Sequence, residues 1–132
     1  MKTARLARIG VLALAAVALS GCACPCAGGK AKHVQHVVVM WLKERGNQAA
    51  RQQIIETSLG FSQIPGVLSV SAGAVLPSER PIVDSSFDVA IVVRLEDADA
   101  MRAYLEHPIH KRAAAEILPP LVSKILVYDF TE

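Results

Sequence analysis

Three things are scarce in this chain, and each scarcity removes a class of protein. Its three cysteines all fall between Cys22 and Cys26. Only Pro25 separates Cys24 from Cys26, so a bridge joining them would close a small, strained ring, and no disulfide framework holds the molecule together. An apolar run of membrane-spanning length is also missing. The longest, Ile9 to Leu19, is about half of the roughly 20 residues that a bilayer-crossing helix needs. Charge of one sign is scarce as well. The whole chain carries 14 Lys+Arg against 12 Asp+Glu, a net charge of +2, and Lys2, Arg5 and Arg8 sit ahead of the apolar run. Without residues 1–21 the balance becomes eleven against twelve, net −1, which is no footprint for binding nucleic acid or a polyanionic membrane surface.

What is present begins with that N-terminus. A basic segment, a short apolar run and small residues make a signal peptide over residues 1–21. The Leu19-Ser20-Gly21-Cys22 sequence resembles the lipobox of bacterial lipoproteins, which implies acylation of Cys22 as the mature N-terminus; an ordinary secretory signal cut near the same place is the alternative. Three acyl chains, each buried methylene contributing about 0.8 kcal/mol, would anchor the protein without help from its surface. Ala23 follows the cysteine, where an aspartate would favour inner-membrane retention. The expected address is therefore the bacterial cell envelope, lipid-anchored at the periplasmic side of the outer membrane. Residues 22–32 lack an apolar period and read as a flexible tether reaching at most about 35 Å.

Residues 33–132 form the folded domain, large enough for one core but near the small end. Val34 to Leu42 is dense in β-branched residues and predicts a strand. Gly46 to Gln63 predicts a helix, stopped by Pro65-Gly66. Val67 to Leu76 is a second strand and Phe87 to Leu95 a third, across a proline-bearing loop from Pro77 to Ser86. Asp97 caps a second helix, which ends at His107 because the residue before a proline avoids helical angles. Pro108 opens a further helix running to Leu118, where Pro119-Pro120 stops it, and Val122 to Phe130 is the last strand. The order βαβ-βαβ predicts an α+β, ferredoxin-like split βαβ sheet with helices on one face.

The other face of that sheet is also apolar. His36, Val38, Met40 and Leu42 alternate with Val37, Val39 and Trp41, and Ile125, Val127 and Asp129 with Leu126, Tyr128 and Phe130. A half-exposed sheet normally alternates with polar residues. Val37, Val39, Trp41, Val92, Leu126 and Tyr128 are therefore expected at a homodimer interface, each contributing roughly 1.5 to 3 kcal/mol if fully buried. The alternative is that the Pro77–Ser86 loop folds over this face.

Several ordered motifs carry a family resemblance: His36-Val37-Val38-Val39-Met40, Ile64-Pro65-Gly66-Val67, Phe87-Asp88-Val89-Ala90, Tyr104-x-x-His107-Pro108-x-His110 and Val127-Tyr128-Asp129-Phe130. The chain from His36 to Phe130 resembles the stress-responsive dimeric α+β barrel (Dabb) proteins, which implies two sheets dimerising into an α+β barrel. Most of that family has no assigned reaction. A plant polyketide cyclase of this fold uses a Tyr and a His, which map onto Tyr104 and His110, and a pocket histidine that maps onto His36. The aromatic walls of such a pocket are missing: Ile54, Thr57, Ser58, Ala113, Ala114 and Val122 stand there instead.

The candidate catalytic set is His110, Tyr104 and His36, with Asp129 orienting His36 from the neighbouring strand. His110, in the first turn after Pro108, is expected to have a lowered pKa from the helix dipole. The same groups could instead form a buried polar network with no catalytic role. A small apolar ligand would lie among Val38, Met40, Ile54, Val89, Ile91, Ile125 and Val127. No metal is expected, because nothing completes a site begun by His107, His110 and His36; no cofactor is expected either. Three functions follow: a non-catalytic or small-molecule-binding module, a cyclase-like acid–base enzyme, and an oxidase resembling the monooxygenases that share this barrel.

Overall fold

The computed structural model describes residues 32–132; the expected signal peptide, Cys22 and most of the expected tether lie outside the described residues. The elements are β1 (Val34–Leu42), α1 (Gln48–Leu59) with a 3-10 turn (Gly60–Gln63), β2 (Val67–Ala74), β3 (Val89–Leu95), α2 (Ala98–Glu106), α3 (Pro108–Arg112), a π turn (Ala113–Ile117), α4 (Leu118–Leu121) and β4 (Val122–Thr131). The strands form one antiparallel sheet in the order β2-β3-β1-β4, the ferredoxin-like arrangement that the element order predicts. β2 ends at Ala74 and β3 begins at Val89, so Val75, Leu76, Phe87 and Asp88 belong to the connecting loop.

Local chemistry sets the helix boundaries. The Asn47 side chain accepts the Ala50 N–H at 3.0 Å and starts α1; Asp97 accepts the Ala100 N–H at 2.8 Å and starts α2. These are N-caps satisfying otherwise orphaned donors. Gly66 turns the chain into β2 with φ of +83°, and a Cβ there would stand 2.7 Å from the Ala100 Cβ. Both the left-handed angle and the contact with α2 demand glycine. His107 is extended, ends α2 and caps α3, its Nδ1 accepting the Ile109 N–H at 3.3 Å.

The helical path does not stop at Leu118. Pro119 and Pro120 lie inside the first turn of α4, where a missing N–H costs least. Their rings crowd the carbonyls one turn earlier, and the backbone widens there: the Leu118 N–H bonds the Ala113 carbonyl, five residues back.

The core fills the space between the helices and the inner face of β1 and β3. Met40, Ile54, Val89, Val93 and Leu95 have no exposure, and Ala50, Phe61, Ile64 and Tyr104 join them. Buried Asp88 ties the sheet end: its carboxylate accepts the Leu42 N–H at 2.9 Å, and its own N–H donates to the Met40 carbonyl at 2.9 Å. The helices leave β4 uncovered. Only Val122 of that strand is buried, and Ile125 and Val127 on the inner side are 45% and 44% exposed.

On the outer face, Val37, Val39 and Trp41 are half-buried, while Val92, Leu126, Tyr128 and Phe130 are exposed. The Pro77–Ser86 loop does not cover them. It meets Trp41, whose indole N–H donates to Ser86 Oγ at 3.1 Å, and its own Ile82 is 85% exposed.

Candidate functional site

Because the helices stop short of β4, a cavity of about 320 Å³ opens between the inner sheet face and the helical layer. Val38 and Met40 of β1, Ile91 of β3, and Ile125 and Val127 of β4 make its sheet wall. Ile54 and Val89, expected in this lining, are not part of it. Both have no exposure and belong to the closed core, where α1 packs against β2 and β3. Thr57, Phe61, Met101, Leu105, Ala114 and Leu118 complete the opposite wall.

The sequence reading placed none of Met101, Leu105, Leu118 and Phe61 in the site, and Phe61 matters most among them. It touches both Tyr104 and His110, with ring centroids 5.8 and 5.9 Å apart. The signal was there: Ala50, Ile54, Ser58 and Phe61, spaced four, four and three residues apart, are the buried stripe of α1 and its 3-10 extension.

The polar groups converge at one end. Cα pairing places His36 opposite Asp129, and the imidazole Nδ1 lies 2.6 Å from Asp129 Oδ1. His36 is buried, whereas the Asp129 side chain is half exposed at the cavity wall. Tyr104 packs edge-on against His36 at 5.7 Å and lies 4.6 Å from the His110 ring. His110 Nδ1 reaches the Leu105 carbonyl at 3.2 Å. The three rings proposed from sequence are thus brought together, with Asp129 behind one of them; His107 serves as the cap between helices.

Burial pushes the Tyr104 phenol well above its ordinary value and leaves it protonated. His110 is held below its usual value, first by burial and further by the neighbouring His36; the Leu105 carbonyl opposes both. Burial, rather than the dipole of the five-residue α3, is the leading cause of that shift. The site therefore combines a neutral imidazole, a phenol that donates, and a second imidazole fixed by a carboxylate, a set able to move a proton at a bound oxygen. Among the described residues no three His, Cys, Asp or Glu side chains are placed to hold a metal, and no helix is long and apolar enough to cross a membrane.

Residues 34–132 match the model of the stress responsive A/B barrel domain, and the chain belongs to that family. No curated protein matches it. Among solved structures it is similar to a dimeric ferredoxin-like protein of unknown function from Thermobifida fusca, at 23% identity and a TM-score of 0.62, covering 78% of this chain and 93% of that one. A Dabb family protein with a ferredoxin-like fold from Mesorhizobium loti is 23% identical with a TM-score of 0.62, over 75% of this chain and 95% of that one. Hydroxynitrile lyase from Passiflora edulis is 20% identical with a TM-score of 0.66, over 76% and 94%. At such identities the likeness establishes the fold.

Proposed function

We propose that this chain is a lipid-anchored, homodimeric envelope module that binds a small apolar molecule between its sheet and its helices. One observation carries the binding reading: a cavity of about 320 Å³ with apolar walls and polar groups gathered at one end, the usual form of a small-molecule site. The homodimer draws support from the apolar outer sheet face and from neighbours described as dimeric. The lipobox-like Leu19-Ser20-Gly21-Cys22 supports the anchor. Native mass spectrometry of protein taken from its own membranes tests the site. A small adduct that disappears in Ala114→Phe, which fills the cavity, supports the reading; an adduct that survives the filling contradicts it.

A second reading is acid–base catalysis, favoured by the 2.6 Å pairing of His36 with Asp129. A base at the cavity wall would take the hydroxyl proton of a bound cyanohydrin as its carbon–cyanide bond breaks, then hand that proton to the departing cyanide. The Passiflora lyase of similar fold makes this worth testing. Cyanide release abolished by His36→Gln, with the fold intact by circular dichroism, would support it; release unaffected by that change would exclude it.

A further inference from the structure

The partners of the two cavity histidines fix which nitrogen carries the proton. Nδ1 of His36 faces the Asp129 carboxylate at 2.6 Å and Nδ1 of His110 faces the Leu105 carbonyl at 3.2 Å. Both partners are acceptors only. In its neutral form each ring therefore holds its proton on Nδ1 and leaves Nε2 as a bare acceptor. Tyr104 is the donor within this group of rings. On the α1 wall, the Ser58 hydroxyl already donates to the Ile54 carbonyl at 2.7 Å, leaving Thr57 as one further hydroxyl. Acceptors outnumber donors at the polar end.

Positive charge is turned away from the cavity. Lys111 pairs with Glu106, Arg112 with Glu116 at 3.3 Å, and Arg102 with Asp99, all on exposed helix surface. The lining holds the Asp129 carboxylate and no Lys or Arg. An anionic ligand would thus be desolvated beside a carboxylate with no cation to meet it.

Building on the binding reading above, we infer that the site selects an uncharged aliphatic alcohol, whose hydroxyl donates to an imidazole Nε2 and accepts from Tyr104 while its chain lies along Met40, Ile125 and Val127. A ketone of equal length can only accept, which leaves the imidazoles without a donor. At about 30 Å³ per water-sized group, a cavity of about 320 Å³ takes on the order of ten non-hydrogen atoms. The chain is aliphatic because Phe61 is the one aromatic side chain, apart from the polar rings, in a wall whose remaining apolar side chains are Met, Leu, Ile, Val and Ala.

Calorimetric titration of the full chain at pH 8 with 1-octanol, 2-octanone and octanoate tests this. The alcohol is expected to bind at least tenfold more tightly than the ketone, and octanoate not at all. Ketone or octanoate binding as tight as octanol overturns the inference while leaving a ligand pocket in place; no binding by any of the three removes both. Long-range proton–nitrogen spectra of the imidazoles read the tautomers directly. Finding His36 or His110 protonated on Nε2 at that pH overturns the inference whatever the affinities. Val127→Lys supplies the missing cation and should make octanoate binding measurable; its continued absence counts against the charge argument.

Discussion

The same truncation on two sides of the domain separates closed core from open cavity. Ile54 has no exposure and is packed between α1 and the sheet. Ile54→Ala removes three buried carbons, about 2.4 kcal/mol at roughly 0.8 kcal/mol each. Ile54 is fully buried and is not among the cavity's lining residues, so a void penalty brings the cost to about 3–4 kcal/mol, inside the usual 2–5. Ile125 is 45% exposed on a wall that already faces open space. Ile125→Ala therefore loses only about half the transfer term, about 1 kcal/mol, with no new void. Equilibrium urea unfolding at one fixed protein concentration measures both, the fixed concentration removing any shift from association. For a domain of about 100 residues the Ile54 change should also lower Tm by at least about 10 °C. Octanol affinity should move the other way, falling in Ile125→Ala and holding in Ile54→Ala. Equal stability losses, or an Ile54→Ala cost below about 1 kcal/mol, would refute this assignment of core and cavity.

Three further outcomes are expected. Val39→Glu on the outer sheet face should give a monomer by light scattering, while His110→Ala on the opposite face stays dimeric; a dimeric Val39→Glu would contradict the interface. Cys22→Ser should move the protein from membrane to soluble fractions, and continued sedimentation with membranes would argue against acylation. Stability should fall at both ends of the pH range. His110 is lowered from 6.5, so its contribution is whole above about pH 6.5 and is lost as pH falls through the folded value. Tyr104 is raised from 10.0, so its contribution is whole below pH 10 and is lost as pH rises beyond that. His110→Gln should flatten the acid limb and Tyr104→Phe the alkaline one, each read as unfolding free energy against pH; unchanged limbs would contradict the buried, neutral forms.

The elements were legible in the sequence because their signals are local. Asp97 caps where a cap is needed, Pro65-Gly66 ends the first helical stretch, and β-branched runs mark β1 and β3. The register between β1 and β4 was legible too, since alternation alone put His36 and Asp129 on one side. Three things depended on packing. Ile54 and Val89 face the helical side as expected, but whether that space is filled or empty is decided by how far α1 and α2 reach across the sheet. Pro119-Pro120 looked like a stop, yet proline fits a first helical turn, and the preceding backbone adapted by widening instead of ending. Phe61 fell inside the helix expected from Gly46 to Gln63 without being assigned to the site; the 3-10 turn after α1 carries it on the buried stripe toward Tyr104 and His110.

The fourth strand connects the cavity to the apolar outer face. Ile125 and Val127 point to one side of β4 and Leu126, Tyr128 and Phe130 to the other, and all five are exposed in the single chain. Apolar side chains this dense on an edge strand invite uncontrolled association unless something covers them. One cover cannot serve both sides, since the sheet itself stands between them. The outer side continues across Val37, Val39 and Val92 as a broad surface, the shape that suits another protein surface. The inner side is a concavity bounded by Ala114, Leu118, Tyr104 and His110, too narrow for a folded partner and suited to a molecule of roughly ten atoms. Small side chains at Ala113 and Ala114 keep it open where larger ones would close the helical layer onto β4. A strand that needed only a dimer partner could have had its inner side closed by larger side chains, so the alanines and the exposed isoleucine and valine opposite them support the proposed binding site, as the polar end does.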